Sequence, residues 1–253
     1  MKKEALLFYD AYQQFYQMAD RSGAFRAFCG DAFGSDFSQD GFSDLSQVER
    51  ILPHIPQTGD VHILDIGCGN GKMLGYLQQK TGAFIHGFDY SKAAIQTAQR
   101  LFPLRSDFRV GIIGETDYPD AAFDVITAMD TLYFAKDITA LMEQIKRWLK
   151  PGGVFFAGYT EGDVVPKTAS AYTTLLAKAL SANAMDYQAQ DITQETYALL
   201  KRKRAAAQAH RAAFLAEGND EWYRLLLQQT DCAAEPFATF REKMARYLYT
   251  VQE

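Results

Sequence analysis

His62-Ile-Leu-Asp65-Ile-Gly67-Cys-Gly69-Asn-Gly71-Lys72 is an apolar run that breaks into three glycines at alternate positions. His62–Ile66 has the length and β-branched content of a short buried strand, and an amphipathic helical pattern starts at Gly71. Glycines belong between them because the chain must turn sharply and let a ligand approach the backbone with no Cβ in the way. An acidic residue, Asp89, closes the next apolar run, Phe84–Asp89. Strand, glycine turn, helix and strand-ending carboxylate form the first unit of an open α/β sheet, whose ligands bind beyond the carboxyl ends of the strands.

Outward from this unit the hydrophobic period keeps switching. A helix is expected from Ser91, strands over Phe108–Ile113 and Phe123–Met129, a helix over Ile138–Leu149 and a strand over Val154–Tyr159. Such alternation specifies a parallel sheet with helices on both faces, because each parallel pair needs a crossover. Upstream, residues 4–20 carry aromatics at helical spacing (Tyr9, Tyr12, Phe15, Tyr16), and Asp44–Leu52 reads as a helix with Asp44 and Gln47 placed as a capping box. Between them lies a Gly- and Phe-rich stretch, Phe25–Phe42. Downstream, Ser170–Ala182, Thr193–Ala216 and Glu221–Gln228 look helical, while Met185–Ile192 and Ala245–Val251 fit an antiparallel edge pair of the same sheet. The expected fold is a Rossmann-like, doubly wound, seven-stranded and mostly parallel sheet with an antiparallel last strand. It is expected to be one domain over 1–253, with a helical N-terminal lid (1–55), a cofactor-binding core (56–162) and a helical cap carrying the last two strands (163–253).

The third glycine separates two cofactor classes. A dinucleotide fingerprint, G-x-G-x-x-G, needs glycine at position 72, where the helix N-terminus receives pyrophosphate. That position is Lys72, so a nicotinamide dehydrogenase is disfavoured and a ligand with ribose and adenine but no pyrophosphate fits better.

Taken in order, these motifs resemble the class I S-adenosylmethionine-dependent methyltransferases, over about Val61–Tyr159. Asp65-Ile-Gly67-Cys68-Gly69-Asn-Gly71 is similar to that family's first motif, which holds the methionine end of the cofactor. Asp89 matches the carboxylate that takes the ribose hydroxyls, and Tyr90 follows where the family sets a side chain against adenine. Tyr118-Pro-Asp-Ala-Ala-Phe-Asp124 and Leu149-Lys-Pro-Gly-Gly153 resemble the segments before the fourth and fifth strands. Counting back from Asp124, the position where many relatives carry an adenine-binding Asp is Ile112, so Ile112 and Ile113 are expected as an apolar adenine wall. Met129, ending the fourth strand, and Phe42, as a lid contact, complete the expected cofactor set. The resemblance implies S-adenosyl-L-methionine as cofactor, S-adenosyl-L-homocysteine as product, and methyl transfer to a nitrogen or oxygen of a small molecule. Asp130 and Tyr133, after the fourth strand, and Glu161, ending the fifth, are the expected catalytic side chains, with Glu161 favoured for a cationic substrate.

Composition narrows the partners. Lys+Arg 26 against Asp+Glu 31 leaves a net charge of -5, a poor match to a phosphate backbone. Lys201-Arg-Lys-Arg204 would fan around a helix axis and reads as a solvated face. Cys29, Cys68 and Cys232 have neither metal nor disulfide-scaffold spacing, and His54, His62, His86 and His210 are scattered, so no metal site is expected. Asp10, Gln13 and Gln14 cut short a signal-like start, and no run spans a bilayer. The expectation is a cytoplasmic enzyme, monomer or homodimer, bound to no nucleic acid or membrane. An RNA or protein methyltransferase and a non-catalytic cofactor-binding module are the rival readings. An open cavity beside Tyr133, Glu161 and the N-terminal helix would favour an enzyme over a binding module.

Overall fold

The computed structural model describes residues 8–252, so residues 4–7 of the first expected helix and the Met1-Lys2-Lys3 start lie outside the described residues. The alternating core runs β1 (His62–Ile66), α4 (Lys72–Thr81), β2 (Phe84–Asp89), α5 (Lys92–Leu101), β3 (Ser106–Val110), β4 (Phe123–Met129), α6 (Ile138–Trp148) and β5 (Leu149–Glu161). Before it come α1 (Tyr9–Arg21), α2 (Gly23–Phe33) and α3 (Leu45–Glu49). After it come α7 (Leu175–Ala182), β6 (Tyr187–Asp191), α8 (Thr193–Ala209), α9 (Arg211–Ala216), α10 (Asp220–Gln229), α11 (Phe237–Lys243) and β7 (Ala245–Gln252).

The seven strands follow the order β3-β2-β1-β4-β5-β7-β6. Pairing is parallel from β3 through β5, whereas β7 runs antiparallel to both β5 and β6, the edge pair expected from the sequence. The chain winds from β1 out to β3 and then back across β1 to β4, so the order reverses between β1 and β4. A crevice opens there at the carboxyl ends, because the flanking loops leave in opposite directions.

Period two along the strands builds two cores. In β1, Leu64 and Ile66 face the α6 and α7 side with Phe155 and Trp148, while Ile63 faces the α4 and α5 side with Leu74, Ile85 and Ile95. Side-chain caps fix the helix starts that meet the crevice: Ser91 Oγ accepts from Ala94 N, and Asp137 accepts from Thr139 N and Ala140 N. Asp44 likewise accepts from Gln47 N, but Gln47 turns its own side chain toward Arg246 instead of back to the cap.

A third core joins the two ends of the chain. Phe28, fully buried, lies edge-on to Phe33 and Phe214 at 6.2 and 6.4 Å between ring centres, which fastens α2 to α9 and α8. Residues 25–33 of the Gly- and Phe-rich stretch Phe25–Phe42 therefore belong to the helix α2. Its aromatics are stabilised by burial against helices from the far end of the chain, which a local reading does not see. The helix α11 was likewise not anticipated, because only Phe240 of its seven residues is buried.

Candidate active site

The glycine turn after β1 is held from below. Gly67 N and Cys68 N both donate to Phe88 O, at 2.9 and 3.0 Å, and Gly71 N closes the turn on Cys68 O. Gly67 and Gly69 both sit at positive φ, 74° and 53°. A Cβ at Gly67 would meet Thr131 Cγ2 at 2.6 Å, and one at Gly69 would collide with the Tyr16 hydroxyl. Space as well as backbone angle therefore demands glycine here.

Asp89 ties the second strand to this turn. Its carboxylate accepts from Gly69 N at 3.0 Å and from Ser91 N at 2.7 Å, and burial pushes its pKa up to about 6 despite those donors. Asp65 is 4% exposed, accepts from Thr127 Oγ1 at 2.7 Å, and is raised further, to about 7, again mainly by burial. Two carboxylates held out of water at one crevice hold charge at a cost, and a cationic ligand would relieve it.

Lys72, the residue that breaks the dinucleotide fingerprint, turns away from the turn. Its Nζ donates to Asp36 at 2.7 Å and Ser38 Oγ at 2.8 Å, pinning the loop after α2 to the start of α4.

The crevice holds two adjoining cavities that share part of their lining. The inner one, about 80 Å³, lies over Asp65, Gly67, Cys68, Gly69, Asp89 and Tyr90, with Ile113 and Met129 also in its wall. Tyr12 and Tyr16 of α1 cover it, and the ring contacts Tyr12–Tyr90, Tyr12–Phe134 and Tyr90–Phe134, at 6.1–6.2 Å, make an aromatic frame at its mouth. The outer cavity, about 590 Å³, is walled by α1, the 40–42 loop, Tyr133, Phe134, the 162–164 loop and residues of α8 and α10. Tyr12, Asp40, Gly41, Asp130 and Phe134 belong to both walls.

The structure thus gathers Asp65, Gly67, Cys68, Gly69, Asp89, Tyr90, Ile113 and Met129 around one cavity. Three other expected cofactor residues lie elsewhere. Gly71 packs under the turn against Phe108 and Ala98, Ile112 lines neither cavity and donates its N–H to Thr116 Oγ1, and Phe42 lines the outer cavity only.

The expected catalytic residues separate too. Asp130, at positive φ (61°), accepts from Thr160 Oγ1, Arg246 Nε, Arg246 Nη2 and, at 3.4 Å, Ser43 Oγ. Four donors fill the four acceptor positions of a carboxylate, and Arg246 is itself 0% exposed, so Asp130 organises the site and has no lone pair to offer a proton. Glu161 is buried outside both cavities, its carboxylate taken by Thr168 N and Thr168 Oγ1 at 2.8 Å each. Tyr133 does line the outer cavity, with burial raising its pKa well above the phenol range.

Asp40 and Asp163 line the cavities without having been singled out as site residues, while Tyr12 and Tyr16 belong to the expected N-terminal lid and Lys203 to the basic run. The i, i+4 spacing of Tyr12 and Tyr16 is the signal that points to those two. Lys203 reverses an expectation: the basic run was read as solvated, yet Lys203 is 3% exposed while its neighbours Lys201 and Arg202 face solvent. Among the described residues no cluster of His, Cys, Asp and Glu could hold a metal ion.

Comparison with known proteins bears on this geometry. Residues 64–157 match the methyltransferase-domain family. Two phosphoethanolamine N-methyltransferases of Arabidopsis thaliana are 29% and 30% identical over 210 residues, which is 76% of this chain and 42% of each relative. The chain therefore spans about two fifths of those relatives' length. Haemonchus contortus phosphoethanolamine N-methyltransferase 2, solved with phosphomonomethylethanolamine and S-adenosylhomocysteine, superposes at a TM-score of 0.77 with 19% identity, over 98% of this chain and 60% of that one. The cyclopropane synthase MmaA2 of Mycobacterium tuberculosis superposes at 0.73 with 16% identity, over 99% of this chain and 100% of that one. At such identities the two structures show a shared fold.

Proposed function

We propose that this chain is a class I S-adenosylmethionine-dependent methyltransferase that transfers a methyl group from S-adenosylmethionine to a nitrogen or oxygen of a small molecule, a reading supported by the methyltransferase-domain match and the methyltransferase relatives. One observation carries the reading. A cavity of about 590 Å³ adjoins the glycine-turn cavity and shares the wall of Tyr12, Asp40, Gly41, Asp130 and Phe134, so an acceptor can meet a ligand held over the turn. A binding module would have no use for that second space.

The residues present fit the cofactor's chemistry. Asp89 can accept from vicinal ribose hydroxyls, Tyr90 and Ile113 offer flat apolar surface for a base, and Asp65 beside Gly67–Gly69 suits the methionine end. When bound, the cofactor supplies a methyl already activated by its sulfonium. What remains for the protein is alignment and exclusion of water. The tyrosines of α1 close over the inner cavity, and the Arg246–Asp130 pair holds the wall between the two cavities rigid.

Free thiols at Cys29, Cys68 and Cys232 support a reducing, cytoplasmic location.

Calorimetric titration with S-adenosylmethionine, S-adenosylhomocysteine and NAD, repeated on Asp89→Ala, tests the reading. Binding of the first two that is lost in the variant is expected. Tight NAD binding, or no binding of either sulfur ligand, would overturn it.

A further inference from the structure

We infer that the outer cavity takes an organic amine with an apolar or aromatic body, its ammonium held by Asp163 and Asp40, an assignment that rests on the methyl-transfer reading above. Tyr12, Phe15, Phe42, Tyr133, Phe134 and Trp222 supply most of the apolar wall. Such a surface fits a carbon skeleton far better than it fits a small, fully polar molecule, and its ring faces attract a cation.

The charges on the wall decide the sign of the ligand. Asp130 is neutralised by Arg246. Among the described lining residues Lys203 is the one cation facing the cavity, and its ammonium is already engaged. It donates to Gly41 O at 3.2 Å and lies over the rings of Phe33 and Phe42, 5.4 and 5.7 Å from their centres. Among the described residues Asp40 accepts only from the neutral amide of Gln229, at 3.0 Å. Asp163 stands exposed at the rim, where none of the described residues donates to its carboxylate, facing Asp40, Asp130, Lys203 and the tyrosine rings. Among the described lining residues, two carboxylates stand against one occupied ammonium, a negative balance. A phosphorylated acceptor, the kind named for the plant relatives, would bring about two further negative charges to a wall with one lysine to meet them.

Asp163 also has a chemical task. An ammonium cannot act as a nucleophile until one N–H bond breaks, leaving its electron pair on nitrogen. The proton passes to a carboxylate oxygen of Asp163 and from there to solvent at the rim. Partial burial and the neighbouring charges of Asp40 and Asp130 raise the Asp163 pKa, which suits it to that transfer. Glu161, two residues earlier, is held by Thr168 and cannot serve.

The test uses the full chain saturated with S-adenosylhomocysteine and titrates 4-phenylbutylamine, its counterpart 5-phenylpentanoate, and phosphoethanolamine, by calorimetry and by Trp222 emission. The amine is expected to bind at least about tenfold tighter than either anionic probe and to weaken about tenfold in Asp163→Asn or Asp40→Asn. The assignment is overturned if the carboxylate or phosphoethanolamine binds as tightly, if the amine does not bind, or if both Asn variants bind it unchanged. Saturation with S-adenosylhomocysteine is itself measured first. Failure at that step counts against the methyltransferase reading, whereas product binding without amine binding counts against this assignment alone.

Discussion

The hydroxyl of Tyr16, on the N-terminal helix, lies against the α-carbon of Gly69, the second glycine of the turn, with no room for a side-chain atom between them. Lid and glycine turn are thus fitted to each other before any ligand arrives. Gly69→Ala should destabilise the fold by about 1–3 kcal/mol, from the positive φ and the collision together. In a Tyr16→Ala background only the backbone part should remain, so thermal melts of the two single variants and the double variant should show clear non-additivity. Strict additivity would mean that the two residues do not touch.

Asp65 sets a pH dependence. Its pKa rises from about 3.8 unfolded to about 7 folded, so between those values the folded state binds more protons and stability falls as pH rises. Asp65→Asn keeps the acceptor for Thr127 and loses the charge. Its advantage over wild type in urea or heat should grow from pH 4 to pH 7, reaching on the order of 2–4 kcal/mol, and then level off. A difference that does not vary with pH would refute the burial account.

Arg246 and Asp130 form a fully enclosed pair that also gathers Ser43 and Gln47 from the lid side of the site. Arg246→Ala leaves a buried carboxylate without its cation, and chemical unfolding should show a loss of about 3–5 kcal/mol. Asp130→Asn should lose less, since its amide oxygen still accepts from Thr160 and Arg246 retains its lid partners.

Lys203 offers the opposite case. Its ammonium is buried for one hydrogen bond and two ring faces, so Lys203→Met should lie within about 1 kcal/mol of wild type or above it in melting experiments. With the opposing cation gone, 4-phenylbutylamine should bind about threefold tighter or more. Weaker amine binding in this variant would show that Lys203 holds the ligand.

Much of the site was legible because its causes are local. The break from strand to glycines at Gly67–Gly71 follows from backbone sterics, and Ser91 caps α5 through a bond three residues long. Asp89 reaches the turn because parallel pairing sets Asp65 beside Gly87 in register. The chain order of the core strands and helices from β1 to β5 follows from period and length, whereas α2 and α11 do not.

What the linear order withheld depends on side-chain direction and on contacts between distant segments. Glu161 and Asp163 are two residues apart, but the strand ends between them, so the first is sealed beneath Thr168 and the second reaches the cavity. In Lys201-Arg-Lys-Arg204 the helix turns each side chain to a different side, and only packing against Phe33 and Phe42 makes Lys203 a buried wall. Sequence by itself determined the doubly wound sheet and the glycine-turn site, because sterics and periodicity act over a few residues. Tertiary structure alone decided the lid's fit on Gly69, the neutralised Asp130 and the charge of the outer cavity, because each is a contact between groups tens to hundreds of residues apart.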